Sequence, residues 1–412
     1  MTLTVVGIGA DGWDGLGTDA RDALLLAPLV VGSTRQLDAL PATVTAPRRA
    51  WPSPMAPLVD DLAAGRLGDA VVLASGDPML HSVGSSLARR AAPGTVSVVP
   101  HPSAFALACA RTGWDAATTT LVSAVGRPVD VVATALQTRR RIVVYVTGTD
   151  GAATLARALC DRGFGASSLT VLERLGATDE RRTDTTADAA RDHVADPLHA
   201  VAVEVRGGPS LPCMPGLPDD AYDHDGQLTK RHVRAMTLAA LGPLPHETLW
   251  DVGAGSGSIA IEWLRAEPTA DAVAIEADPV RAARIGANAT RLGVPRLRVV
   301  AGAAPDALAD LPRPDVAFVG GGITVPGVLD RVWGALCPGG RLVANVVTLE
   351  GERALAAARD AHGGALVRID VASAEPLGSL TGWRPQRPVV QWSVVKDDDE
   401  GRCAPESAGG TA

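Results

Sequence analysis

The sequence predicts two α/β units in tandem, each a sheet rich in parallel strands covered by helices, and three observations carry that prediction. Short apolar, β-rich runs alternate with amphipathic stretches of helical length along both halves. Several of those runs end in glycine turns, in a different pattern in each half. Between the halves, residues 206–226 are dense in Pro, Gly and Asp and keep neither hydrophobic period. A chain of 412 residues exceeds the usual single-domain range, and each half is long enough to bury its own core.

In the first half the runs 3–8, 70–74, 96–99, 142–146 and 169–172 read as strands, and 18–27, 83–92, 104–112 and 151–162 as helices. In the second half a helix is predicted at 230–240, followed by strands at 248–252, 272–275, 297–300, 316–319 and 341–346, with a helix at 279–292. The resulting layout is a first domain over 1–206, a linker over 207–226, a second domain over 227–396 and an acidic, Gly/Ser/Ala-rich tail over 397–412, expected to be disordered because it has too little apolar content to fold.

A formal net charge of -8 disfavours a protein whose main task is neutralising nucleic-acid phosphates, so a small-molecule substrate is expected and a nucleic-acid partner is not. Lys230 and Lys396 are the only lysines, a bias toward Arg from which no function follows. Cys109, Cys160, Cys213, Cys337 and Cys403 contain no C-x-x-C pair, so neither a disulfide framework nor a metal site is predicted. Without a basic leader or a long unbroken apolar run, a cytoplasmic chain with no membrane partner is the expectation.

The second half carries the more specific motif. Leu249-Trp250-Asp251-Val252 ends a buried strand, and Gly253, Ala254, Gly255, Ser256 and Gly257 follow as a loop before a helix. Gly257 comes two positions after Gly255, not the three of a dinucleotide fingerprint. Methyltransferases of the doubly wound type look like this, and the resemblance implies S-adenosylmethionine as the cofactor. Glu276 ends the next strand, where a carboxylate accepts hydrogen bonds from ribose hydroxyls. After the third strand, where such enzymes often place an Asp against adenine, Ala303 stands, so backbone groups of Ala303 and Ala304 are expected to serve. Thr229 is either the N-cap of the first helix or a cofactor contact.

The first half offers Gly7-Ile8-Gly9 after its first strand, the turn Gly76-Asp77-Pro78 after another, and His101-Pro102-Ser103-Ala104 and Tyr145-Val146-Thr147 after two more. Together these resemble the tetrapyrrole methylase family, a fold of two α/β subdomains with the cofactor between them. The resemblance implies that Gly76, Asp77, Pro78, Ser103, Ala104 and the strand end at Tyr145 bound a second S-adenosylmethionine site. His101 stands where the family often has glycine. The second half, a Rossmann-like class I methyltransferase domain, resembles the decarboxylating precorrin methyltransferases of corrin (cobalamin) biosynthesis.

This resemblance implies methylation of two meso carbons of a tetrapyrrole and loss of carbon dioxide from an acetate side chain, by a homo-oligomer. Such a reaction needs positioning more than a protein nucleophile, so no catalytic acid or base is assigned. The substrate's many carboxylates call for cations, and Lys230, Arg231, Arg234, Arg384 and Arg387 are the candidates, with a solvated helix face or an ordinary loop as the alternative. A competing reading makes the second half a methyltransferase of another substrate such as tRNA and the first a non-catalytic tetrapyrrole-binding scaffold.

Overall fold

Because successive residues of a strand point to opposite faces, a run that is apolar throughout must be covered on both sides. The computed structural model, which describes residues 2–397, places these runs at the centre of its sheets. The tail expected at 397–412 lies outside the described residues from 398 on, as does Cys403. Two units divide the chain: residues up to 129 with 135–209, and residues 130–134 with 210 onward.

The first unit opens with β1 (Leu3–Ile8), α1 (Thr18–Leu25), β2 (Val30–Gly32), α2 (Thr34–Asp38), β3 (Arg48–Ala50), α3 (Ala56–Ala63), β4 (Ala70–Ser75), α4 (Val83–Arg90) and β5 (Val96–Val99). Its strands form an all-parallel sheet in the order β3-β2-β4-β1-β5. Val5 and Val72 pack with Leu58 and Leu62 of α3 on one face, while Val6 and Leu73 pack with Leu24 of α1 and Leu37 of α2 on the other. After α5 (Ala104–Thr112) come β6 (Thr120–Ser123), β7 (Arg141–Tyr145), α6 (Gly151–Asp161), β8 (Ser168–Glu173), β9 (Arg181–Thr186) and β10 (His199–Glu204). They form a second sheet, β6-β7-β10-β8-β9, in which only β6 and β7 are parallel. Its central strand, β10, escaped the sequence reading: His199-Ala-Val-Ala-Val-Glu204 alternates valine with alanine, a weak strand former, so its β-rich signal is faint.

The second unit comprises α7 (Arg231–Leu241), β11 (Thr248–Val252), α8 (Ser258–Ala266), β12 (Asp271–Glu276), α9 (Pro279–Arg291), β13 (Arg298–Ala301), β14 (Val316–Val319), α10 (Val328–Ala335), β15 (Arg341–Val346), α11 (Leu349–His362) and β16 (Ala365–Ile369). A hairpin, β17 (Ala372–Leu377) and β18 (Leu380–Pro385), precedes β19 (Val389–Val395). The sheet order is β13-β12-β11-β14-β15-β19-β16, parallel from β13 to β15, with β19 antiparallel to both neighbours. This is a doubly wound sheet. The chain leaves β11 in one direction and resumes at β14 on its other side, which opens a crevice beyond the carboxyl ends of those strands. Among the described residues no helix is long and apolar enough to cross a membrane.

The segment expected to be a linker is not one. Leu217 and Tyr222 lie in the core of the second unit. The Glu262 carboxylate of α8 accepts the amides of Gly216 (2.5 Å) and Leu217 (3.1 Å) and the Tyr222 hydroxyl (2.8 Å). A stretch without periodicity packs once a buried carboxylate satisfies its donors, and that partner lies at least 40 positions away in sequence.

Candidate functional sites

In the second unit the glycine loop is shaped by three positive backbone angles, φ +71° at Gly253, +60° at Gly255 and +78° at Gly257. Each glycine is also crowded. A Cβ would lie 2.8 Å from the Gly321 backbone at Gly253, 2.9 Å from the Gln227 carbonyl oxygen at Gly255 and 2.7 Å from Ile285 Cγ2 at Gly257. The loop thus fits between the turn after β14, the segment before α7 and the flank of α9, and only glycine satisfies both demands.

Glu276 closes β12 beside it. Its Oε2 accepts the Gly255 amide at 2.7 Å and its Oε1 the Asp278 amide at 3.0 Å. Each carboxylate oxygen keeps a second lone pair free for a diol. Asp251, at the end of β11, is 1% exposed. Its Oδ2 accepts the Ala260 amide at 3.0 Å, while its Oδ1 and the Ser256 hydroxyl are buried with no partner among the described residues. Burial above all pushes the Asp251 carboxyl up to about 7; the Ala260 amide pulls it down and Glu276 pushes it up. A glycine cradle flanked by a carboxylate with lone pairs to spare suits a polar nucleoside. Ala303 and Ala304 stand just beyond the end of β13; the Ala303 carbonyl already accepts the Ala307 amide at 3.0 Å.

Sequence reasoning missed what holds this cradle. The Asn288 amide nitrogen on α9 donates to Asp223 O (2.9 Å) and Ser256 O (3.1 Å), tying the glycine loop to the 223–227 segment. Asp225 accepts the Gln227 amide at 3.2 Å and pairs with Arg281 at 2.8 Å, and the Arg281 hydrogen bond above all holds its carboxyl well below the usual range. These residues have no local signature, because each partner lies on another element.

Two expectations are corrected. Thr229 is not the helix cap, since α7 has Lys230 at that position; the Thr229 carbonyl accepts Arg234 Nη1 at 2.5 Å. Arg234 is fully buried, paired to Glu262 at 2.6 Å and stacked over Tyr222, so it supports the core and faces no substrate. Lys230 and Arg231 do line a crevice of about 400 Å³ together with Asp219, His232, Ser373 and Gln386. Arg384 and Arg387 lie outside that crevice lining, and Arg384 is exposed and pairs with Glu375 across the hairpin at 2.9 Å.

In the first unit the strand ends converge on a cavity of about 480 Å³, walled by Gly9, Gly76, Asp77, Ser103, Ala104 and Tyr145 among others. Gly76 has φ +58°, and a Cβ on Gly7 would lie 2.4 Å from its carbonyl oxygen, so the ends of β1 and β4 touch backbone to backbone. Asp77 Oδ1 accepts the Met79 amide at 2.8 Å, which fixes the turn. Pro78, expected at the cofactor, does not line the cavity; it is buried behind the turn with its carbonyl accepting the Ser85 amide at 3.2 Å. Ser103 caps α5 through the Ala106 amide at 3.1 Å, and the Phe105 amide donates to the Tyr145 hydroxyl at 2.8 Å. Burial first of all raises the Tyr145 phenol, keeping it neutral.

Comparison with known proteins decides the family. A family model described as tetrapyrrole (corrin/porphyrin) methylases matches residues 2–190, and one described as a precorrin methyltransferase domain matches residues 220–396. A Sinorhizobium protein named precorrin-6Y C(5,15)-methyltransferase (decarboxylating) is 47% identical over 397 residues, 96% of each chain. The chain belongs to this family. It is therefore a decarboxylating precorrin methyltransferase, built as a tetrapyrrole methylase fold followed by a class I methyltransferase fold. Two Salmonella typhimurium relatives are shorter. One named cobalt-precorrin-6B C(15)-methyltransferase (decarboxylating) is 32% identical over 42% of this chain and 92% of its own length. The other, named cobalt-precorrin-7 C(5)-methyltransferase, is 31% identical over 43% of this chain and 88% of its own.

Proposed function

We propose that the chain methylates carbons 5 and 15 of precorrin-6Y from S-adenosylmethionine, the second unit acting at C15 with loss of carbon dioxide and the first unit at C5. The observation that carries the proposal is the pair of independent glycine-turn sites, one per unit, each at the end of buried parallel strands. The names of the two shorter relatives support the division, since C15 methylation goes with decarboxylation in one protein and C5 methylation stands alone in another.

S-adenosylmethionine supplies an electrophilic methyl group on a sulfonium. Glu276 would anchor its ribose, and the backbone of Gly253 to Gly257 would shape the cradle for the amino-acid end. Asp251 and Ser256 would support the loop from behind, Asp251 through the Ala260 amide. In the first unit, Gly76, Asp77, Ser103 and Ala104 would surround the second donor. The protein's contribution is in-line positioning and exclusion of water, because a meso carbon of the macrocycle is already nucleophilic. Decarboxylation leaves an electron pair that the conjugated ring absorbs, so the side chains need only hold the macrocycle.

The test uses the full chain with precorrin-6Y and donor carrying a carbon-13 methyl. Glu276→Ala should lose the C15 label and carbon dioxide release together. Asp77→Ala should stop at a product labelled at C15 only. A doubly labelled product from Asp77→Ala at the wild-type rate would leave the first unit a scaffold and sink the division.

A further inference from the structure

A unit that holds a polycarboxylate needs cations not already spent on its own fold. Several guanidinium groups around the first unit's second sheet are spent: Arg111 on Glu180 (2.6 Å), Arg181 on Glu173 (2.7 Å), and Arg174 on Asp179 (2.7 Å) and Asp196 (3.9 Å). Arg35, at the first unit's cavity, and Arg127, beside it, are not. Arg35, on α2, lines the cavity, and among the described residues its guanidinium has no hydrogen-bond or ion-pair partner. It is held in place from behind, since α2 is locked by a reciprocal capping box between Ser33 and Gln36, and Gln36 also donates to Ser75 at 3.1 Å. Its pKa is lowered, first by desolvation and then by Arg174, with Asp196 acting the other way. Arg127, exposed in the loop after β6, stands two positions beyond cavity-lining Val125, its guanidinium also lacks a partner among the described residues, and after burial its charge lowers the pKa of cavity-lining His81. Arg35 belongs to the subdomain of the first sheet, and Arg127 follows β6 of the second. Asp77, the carboxylate on the cavity wall, is committed to the Met79 amide.

We infer that Arg35 and Arg127 are the carboxylate-binding residues of the first unit, gripping two side-chain carboxylates of the tetrapyrrole at the cavity from the two sheets. An anion there relieves the repulsion between Arg35 and Arg174 and accepts charge-assisted hydrogen bonds from the guanidinium. The inference rests on the reading that this unit methylates C5.

The test takes the mono-methylated, decarboxylated product made by the Asp77→Ala protein and offers it to full-length Arg35→Gln, Arg127→Gln and Arg35→Lys proteins. Arg35→Gln and Arg127→Gln should each raise KM for C5 methylation about tenfold or more, with kcat changed much less, as loss of uniform binding requires. Arg35→Lys should recover part of the loss, and S-adenosylhomocysteine affinity should stay at the wild-type value in all three. An unchanged KM in both glutamine variants overturns the clamp while leaving the C5 assignment intact. A doubly methylated product from Asp77→Ala overturns the assignment itself.

Discussion

Asp251 has one oxygen on the Ala260 amide and the other on nothing, in a site closed to water. Its carboxyl is protonated more readily in the folded chain than in the unfolded one, with a folded pKa of about 7. The unfolded state therefore binds fewer protons between about pH 4 and 7. This residue's contribution to stability is most favourable below about pH 4 and is lost as pH rises to 7, by at most about 1.4 kcal/mol for each step of one in pH. Asp251→Asn should flatten that part of the pH dependence; melting temperatures of both proteins across pH 4–8 would show it, and parallel curves would refute it. Glu262 illustrates the opposite case. It is 1% exposed and satisfies Arg234, two amides and a phenol, so Glu262→Ala leaves a buried guanidinium uncompensated and should destabilise the second unit by about 3–5 kcal/mol in urea melts. Neither role is legible in sequence, where Asp251 looks like a motif residue and Glu262 like any helix carboxylate.

Among the elements, the glycine loop and the 223–229 segment act as a pair. A methyl group on Gly255 would strain φ +60° and press on the Gln227 carbonyl. Gly255→Ala should therefore push that segment off the loop and weaken S-adenosylhomocysteine binding to the second unit about tenfold or more, measured by calorimetry, with the first unit's binding unchanged. Ten of the nineteen strands among the described residues were readable. Leu3–Ile8, Thr248–Val252, Val316–Val319 and Arg341–Val346 are strands at the bounds their β-branched runs predict. The strands that escaped are β2, β3, β6, β9, β10 and β16 to β19: β2 and β3 are three residues long, β9 and the β17–β18 hairpin are largely exposed, and β10 and β19 are held between neighbours on both sides. A very short or exposed strand leaves little hydrophobic period to read.

For the whole molecule, two sites in one chain predict that a single polypeptide binds two equivalents of S-adenosylhomocysteine. Titration calorimetry should return two for the wild type and one for Glu276→Ala; a single equivalent in the wild type would contradict the two-site reading. What the sequence determined by itself is the tandem α/β architecture, the family and the two glycine turns, because strand periodicity, turn chemistry and motif spacing are local properties written in consecutive residues. The tertiary structure alone decided that 210–226 packs with the second unit instead of linking the two, that Arg234 serves the fold, that Asn288 and Asp225 brace the glycine loop, and that Arg35 is left without a partner among the described residues at a cavity. Whether a charge is spent on a partner or kept for a ligand depends on what lies within about 4 Å of it in space, and sequence order does not encode that distance.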